Sequence, residues 1–202
     1  MPSATEQKII AAAVRLFASQ GYDATSVQEI VTAAQVTKGA LYHYFRAKDD
    51  LLFEIYRLLI TSQSADMDRI IGLGLPAAAT VREILGSLVV STAEQVDETA
   101  VFVRELHRLG EDRMTEFRAE RRRYHETFLA VIEKGQADGE FSSVVPADTV
   151  VRIALGVVNQ LPMWYRPDGP KPPSQLAAEI ADFVLAGLSE SSGDGKDPER
   201  AA

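Results

Sequence analysis

Apolar residues recur at helical spacing from the first turn of this chain onward, and no alternating run of the kind a half-buried strand needs competes with them. Ile9, Ile10, Ala13, Leu16 and Phe17 fall at i, i+1, i+4, i+7 and i+8, a single stripe. Gly21 follows at the place where a residue with positive φ commonly closes a helix. Ser26 and Glu29 then make an S-x-x-E capping box, which starts a second helix near Val27 and carries it to about Ala34. Thr37 can cap a third, with Leu41 and Phe45 as its inward pair. Two short helices joined by Gln35-Val36-Thr37 form a helix-turn-helix pattern.

The remainder follows the same period. A longer helix is expected from Lys48 to about Ile71, stopped by Gly72-Leu-Gly-Leu-Pro76. Others are expected from about Thr80 to Val96, Ala100 to Leu109 and Thr115 to Asp138, the last capped by Gly139. Pro146 can begin the next, running to about Tyr165 with Pro162 as a kink or early stop. A final helix from Ser174 to Ser189 follows the proline-rich break at 166–173. Together these give an all-α fold of about nine helices. Residues 191–202 are polar and glycine-containing, and are expected to be disordered.

Composition narrows the function classes. At 46% hydrophobic and 25% charged the chain has the make-up of a folded protein. No apolar run approaches the ~20 residues of a membrane span, and the longest candidate, 150–161, contains Arg152. No basic stretch precedes an apolar block at the N-terminus, so a cytoplasmic protein without membrane association is expected. With no Cys and three His, disulfides, a thiol nucleophile and a Cys-based zinc site are excluded. His107, Glu111 and His125, with Glu105 and Asp112 nearby, make the best metal or catalytic constellation, but their spacing matches no H-E-x-x-H or comparable motif. No catalytic, metal or cofactor residue is therefore expected, although a metal-responsive regulator stays open as an alternative.

The net charge of −8 is unevenly spread. Residues 1–50 carry five bases and five acids, so the whole acidic excess lies beyond them. Between Ile30 and Lys48 there are three bases and no acid, a window that suits a local phosphate-contacting surface.

That window falls inside the stretch T-S-V-Q-E-I-V-T-A-A-Q-V-T-K-G-A-L-Y-H-Y-F-R-A-K-D-D-L-L, Thr25 to Leu52. It closely resembles the DNA-binding signature of the TetR family of bacterial transcriptional regulators. The resemblance is carried by Gly21-Tyr22, Thr25 or Ser26, Ile30, Ala33-Ala34, Val36-Thr37-Lys38-Gly39, Leu41-Tyr42, Phe45, and Lys48 with Leu51-Leu52. Gln35 stands where the family often has Gly and Val31 where Ala is usual, which bears on the tightness of the turn. The resemblance implies a three-helix DNA-binding domain over 5–65, its helix-turn-helix at about 28–47, and a larger ligand-binding and dimerisation domain over 66–190. The implied partner is a double-stranded DNA operator.

Each residue of the motif has a chemical reason to be there. Lys38 and Tyr42 lie four apart, as do Gly39 and His43, so they share the face opposite Leu41 and Phe45. Lys38 can reach a guanine edge or a phosphate, and Gly39 lets the backbone approach closely. Tyr42 and His43 can donate to phosphates or pack on thymine methyls. Ser26 and Thr37 sit at helix N-termini, where free N–H groups favour a phosphate. Lys48 resembles the family's phosphate-anchoring lysine. Affinity is expected from Lys48 and Tyr42, and sequence choice from Lys38 and His43.

The last two helices are apolar on more than one face, which implies a second partner, most simply another copy of the chain. The resemblance further implies a pocket whose ligand changes the spacing of two DNA-binding heads, hence a ligand-released repressor. The segments Trp164-Tyr-Arg-Pro-Asp-Gly-Pro170 and Glu133–Phe141 are similar to a subgroup that senses acyl-CoA thioesters or related lipid-derived acids. Candidate ligand contacts are Phe102, Arg118, Tyr124, Phe128, Arg152, Asn159 and Trp164. Arg152, in an otherwise apolar helix, should be paired or bound to an anion. Arg118, Arg121, Arg122 and Arg123 alternate with Glu116, Glu120 and Glu126, as on a solvated face. A DNA-binding protein with no effector is the remaining alternative, because sequence cannot display a cavity.

Overall fold

The computed structural model describes residues 2–189, and the tail expected to be disordered lies outside the described residues. Among the described residues all regular structure is helical: ten α-helices and one 3₁₀ turn, one more helix than the sequence period suggests. The first four are α1 (Ala4–Gln20), α2 (Val27–Ala34), α3 (Lys38–Tyr44) and α4 (Lys48–Ile71). Their ends obey the local chemistry. Ser3 and Ser26 close full capping boxes with Glu6 and Glu29, and Gly21 turns the chain after α1 at φ 90°. Ala47 has no side-chain oxygen, so α4 keeps only half a box, the Asp50 carboxylate accepting from the Ala47 N–H at 2.9 Å.

The body follows with α5 (Ala77–Glu94), α6 (Val96–Glu105), the 3₁₀ turn Leu106–Arg108, α7 (Glu111–Ala137), α8 (Ala147–Asn159), α9 (Leu161–Trp164) and α10 (Pro173–Gly187). Three boundaries differ from the sequence expectation. Helix α6 begins at Val96, with Asp97 and Glu98 in its first turn, and α7 begins at Glu111 with Asp112 behind it. In both, acidic residues complement the positive end of the helix dipole, a signal that outweighs the apolar spacing. Pro162, at the second position of α9, ends α8 early and splits one expected helix in two.

Two apolar cores result. The head core gathers Ile9, Phe17, Ile30, Leu41, Leu51 and Leu52 from α1 to α4, and reaches Val101, Phe102 and Phe117 of α6 and α7. The body core gathers Val81, Leu85, Phe128, Ile132, Val151 and Ala181. Helix α4 contributes to both, its N-terminal half to the head and Met67 and Ile70 to the body. At Gly135 a Cβ would stand 2.3 Å from the Phe141 ring, so only glycine lets that turn of α7 lie on the ring.

Candidate nucleic-acid interface and effector cavity

Helix α3 is held by one face and offers the other. Leu41 and Phe45 are buried in the head core, and Thr37 Oγ1 accepts from the Ala40 N–H at 3.1 Å to fix the first turn. The opposite face exposes Lys38, Gly39, Tyr42 and His43, with Tyr42 46% accessible. Ser26, also exposed, accepts from the Glu29 N–H at 3.2 Å at the start of α2. Tyr44, not singled out from the sequence, is exposed beside His43, ring centroids 4.9 Å apart and edge-on. Its oxygen accepts from the Ser3 hydroxyl at 3.0 Å, tying the exposed end of α3 to the start of α1.

Two backbone details bear on what this surface is for. Gly39 has no positive φ, and an added Cβ would meet only Thr37 Oγ1, at 3.9 Å. The fold therefore has room for a side chain there, although glycine weakens a helix interior by about 1 kcal/mol relative to alanine. Gln35, the departure from glycine noted in the sequence, takes the left-handed conformation at φ 55° and ψ 43°. Gln35 thus adopts the conformation that glycine favours, at a cost on the order of 1 kcal/mol for a residue with a Cβ.

Lys48 is placed differently from the other candidates. Its ammonium donates to the carbonyls of Tyr22 at 2.6 Å and Thr25 at 2.9 Å, and lies 4.1 Å from the centroid of the Tyr22 ring. Two of its three donors thus hold the α1–α2 loop, leaving one for an outside group.

The second site is a cavity of about 570 Å³ walled by α4, α5, α6, α7 and α8. Five of the seven ligand candidates line it: Phe102, Arg118, Tyr124, Arg152 and Asn159. The other two do not. Phe128 is wholly buried in the body core, at the heart of the α7 packing. Trp164, 48% exposed on the short α9, is outside the lining because Pro162 turns the chain away after α8. Arg152 is not the buried charge its apolar helix suggests: the side chain is exposed and pairs with Asp148 one turn earlier at 2.6 Å.

The arginine run on α7 is the solvated face expected of it at Arg118, Arg122 and Arg123, all exposed, and departs from it at Arg121, which is partly buried. Arg123 does point outward to Asp68, at 3.2 Å, but Arg118, Arg121 and Arg122 line the cavity. Alternation of charge along the sequence hid this, since 118, 121, 122 and 125 share a face that the intervening glutamates do not. His125 completes that face, its Nε2 3.3 Å from Asp148 Oδ1 but at an angle that makes no hydrogen bond. Burial lowers the affinity of the Arg121 guanidinium for its proton. His107, Glu111 and His125 do not assemble: among the described residues no three His, Cys, Asp or Glu side chains are grouped to hold a metal.

Between the two sites runs a polar bracket. Buried Glu105, the last residue of α6, is held by Arg104 Nε at 2.9 Å and Arg108 Nε at 2.6 Å. Burial alone would raise its carboxyl, but the hydrogen bonds from Arg108 and Arg104 hold it below the usual carboxylate range. The same two arginines reach into the head, Arg104 donating to the Phe17 carbonyl and Arg108 to Asp23. Arg113 at the start of α7 pairs with Asp50 of α4. Tyr56 continues the connection in apolar form, its ring edge-on to Phe102 at 5.0 Å while it lines the cavity.

Comparison with known proteins agrees with this division. Residues 9–55 match the family model for bacterial regulatory proteins of the tetR family, and residues 74–188 the model for the tetracyclin repressor-like C-terminal domain. The HTH-type transcriptional repressor KstR2 of Rhodococcus jostii is 29% identical over 192 residues, 93% of this chain and 92% of the relative. The TetR family transcriptional regulator PfmR from Thermus thermophilus superposes with a TM-score of 0.82 at 28% identity, covering 90% of this chain and 98% of PfmR. AibR, solved in complex with isovaleryl coenzyme A and operator DNA, has a TM-score of 0.75 at 23% identity, covering 90% and 96%. No helix among the described residues is long and apolar enough to cross a membrane. An exposed recognition-type helix on a compact head, a walled cavity behind it and both family models along one chain have a common meaning: the protein belongs to the TetR family and is a DNA-binding transcriptional regulator.

Proposed function

We propose that the protein is a cytoplasmic homodimeric repressor that holds a partly palindromic operator and releases it when a small apolar or acyl ligand, an acyl-CoA thioester among the candidates, enters the cavity. The observation that carries this reading is that cavity and head share walls. Tyr56 and Leu59 of α4 and Phe102 of α6 line the cavity and also belong to the head core. A ligand that fits one packing of α6 better than another will shift the head with it, through the Arg104, Glu105 and Arg108 bracket. A cavity of about 570 Å³ is of ordinary effector size, which favours a ligand-responsive regulator over one without an effector. The acyl class draws support from AibR, whose solved complex contains isovaleryl coenzyme A.

Dimerisation is supported by the apolar strip that α8 and α10 leave uncovered. Ile153, Val157 and Phe183 are 49%, 38% and 72% exposed, around a shallow groove lined also by Leu176 and Ile180. Two copies joined there would present two α3 helices to one DNA face, at the ~34–36 Å spacing of successive major grooves. Lys38, Gly39, Tyr42 and His43 would meet the groove, with Ser26, Thr37 and the free donor of Lys48 at the flanking phosphates.

The test is sedimentation of the purified chain at micromolar concentration, then capture of fragmented genomic DNA at fixed salt with and without a mixture of acyl-CoA thioesters. A dimer that enriches an inverted repeat and releases it in the presence of thioesters is the expected result. A monomer would contradict the dimeric reading, and capture that no thioester affects would remove acyl-CoA from the candidate ligands.

A further inference from the structure

Helix α7 carries five arginines in eleven residues, and they fall into two groups. Arg113 and Arg123 are neutralised across helices by Asp50 and Asp68. Arg118, Arg121 and Arg122 have neither an ion pair nor a hydrogen bond among the described residues, and all three line the cavity. Together with His125 they occupy i, i+3, i+4 and i+7, one continuous face. Among the described residues no carboxylate lines the cavity, in a chain where 29 acidic residues outnumber 21 basic ones. Arg152 is no exception in the lining, since Asp148 already balances it.

Such an arrangement disfavours the empty protein. Like charges one turn apart repel, and a guanidinium withdrawn from water without a counter-ion is costly. Arg121 bears most of this. Its guanidinium lies 5.9 Å from the ring centroids of both Phe102 and Phe117, at the seam between the cationic face and the apolar wall. That wall is made by Tyr56, Leu59, Leu88 and Leu155. A molecule matching both halves is apolar at one end and negative at the other.

We infer that the effector is an amphipathic anion, a carboxylate or phosphate joined to an apolar group, whose charge Arg121 binds inside the cavity while Arg118 and Arg122 receive further negative charge at its mouth. This rests on the ligand-released reading above and names the chemistry of that same site. Octanoate supplies one anion on an apolar chain; octyl phosphate puts further negative charge at the same end; methyl octanoate keeps the chain and removes the charge.

The experiment is calorimetric titration of the full chain with these three probes, on the wild type, Arg121→Met, Arg121→Lys and the double variant Arg118→Gln/Arg122→Gln, with melting temperatures of each unliganded protein. The wild type should bind octanoate about tenfold or more tighter than methyl octanoate, as a charge-assisted contact requires. Arg121→Met should lose that preference, Arg121→Lys should keep part of it, and Arg121→Met should melt at the same or a higher temperature without ligand. A purely structural Arg121 would instead lower the melting temperature when replaced. Octyl phosphate should bind more tightly than octanoate, and the double variant should abolish only that difference.

The assignment is overturned if Arg121→Met keeps its anion affinity or melts lower, or if no anionic probe binds the wild type at millimolar concentration. Octyl phosphate binding no tighter than octanoate overturns the role of the mouth arginines. Because the titration needs no DNA, a chain that binds the anions but never releases an operator would sink the repressor reading and leave this one standing.

Discussion

Lys38 on the exposed face of α3 and Arg118, Arg121 and Arg122 on α7 are bases without an ion-pair partner among the described residues of an acidic chain, yet the two faces cost the fold different things. On α3 the charges are solvated and the cost is conformational: Gly39 sits in a helix that has room for a Cβ. On α7 the cost is electrostatic, because Arg121 is partly withdrawn from water with no carboxylate beside it among the described residues. An open cationic surface suits a long polyanion met through many weak, salt-sensitive contacts. A half-open pocket suits a single small anion, since the same charge interacts more strongly where water is scarcer. In both places the residue that serves the fold least is the one best explained by a partner.

The comparison can be broken first at the body core. Phe128→Ala should destabilise the protein by about 3–5 kcal/mol in denaturant unfolding, as expected for a fully buried ring, without changing the preference among anionic ligands. A ligand-specific effect with little loss of stability would return Phe128 to the cavity.

Smaller effects sharpen the division within the head. Lys48→Met should lower stability by about 1.5–3 kcal/mol, because the ammonium holds two loop carbonyls, and should also reduce the salt slope of DNA binding. Lys38→Ala should leave unfolding unchanged and cost about 1–3 kcal/mol of discrimination between operator variants if it reads a base edge. Finding the two lysines interchangeable in both assays would remove the distinction between anchoring and reading. Gly39→Ala should stabilise the head by up to about 1 kcal/mol while weakening operator binding, the same opposition of stability and function expected at Arg121.

The bracket between the sites carries a pH signature. Because the folded-state Glu105 carboxyl is held below its usual range, its contribution is complete above the unfolded value of about 4.3 and is lost as pH falls through the folded value. Acid unfolding of Glu105→Gln, followed by circular dichroism, should show a shallower loss of stability below about pH 4 than the wild type. Identical acid profiles would mean that Glu105 does not couple head to body.

The two sites also differ in how far they could be read from residue order. The head motif is local: Ser26 and Thr37 cap helices, and Lys38, Gly39, Tyr42 and His43 share a face because of spacing within one helix. Each is found where those rules place it. Lys48 shows the limit, since its two carbonyl partners lie 23 and 26 residues away. The cavity draws on five helices, so its members depended on which face of α7 turned inward. Phe102, Arg118, Tyr124, Arg152 and Asn159 line it, whereas Phe128 belongs to the core and Trp164 lies outside. Arg121 and Arg122 were legible only by separating the 118, 121, 122 and 125 face from the glutamates interleaved with it. Taken residue by residue, the run looked like ordinary alternating charge.

Hydroxyl-radical footprinting of the captured operator, with wild type and Lys38→Ala side by side, tests most directly whether paired α3 helices hold the DNA. The account predicts two protected patches related by two-fold symmetry, their centres one turn or a whole number of turns apart on one face of the duplex. In Lys38→Ala both patches should weaken equally. A single unsymmetrical patch, or protection indifferent to Lys38, would contradict it.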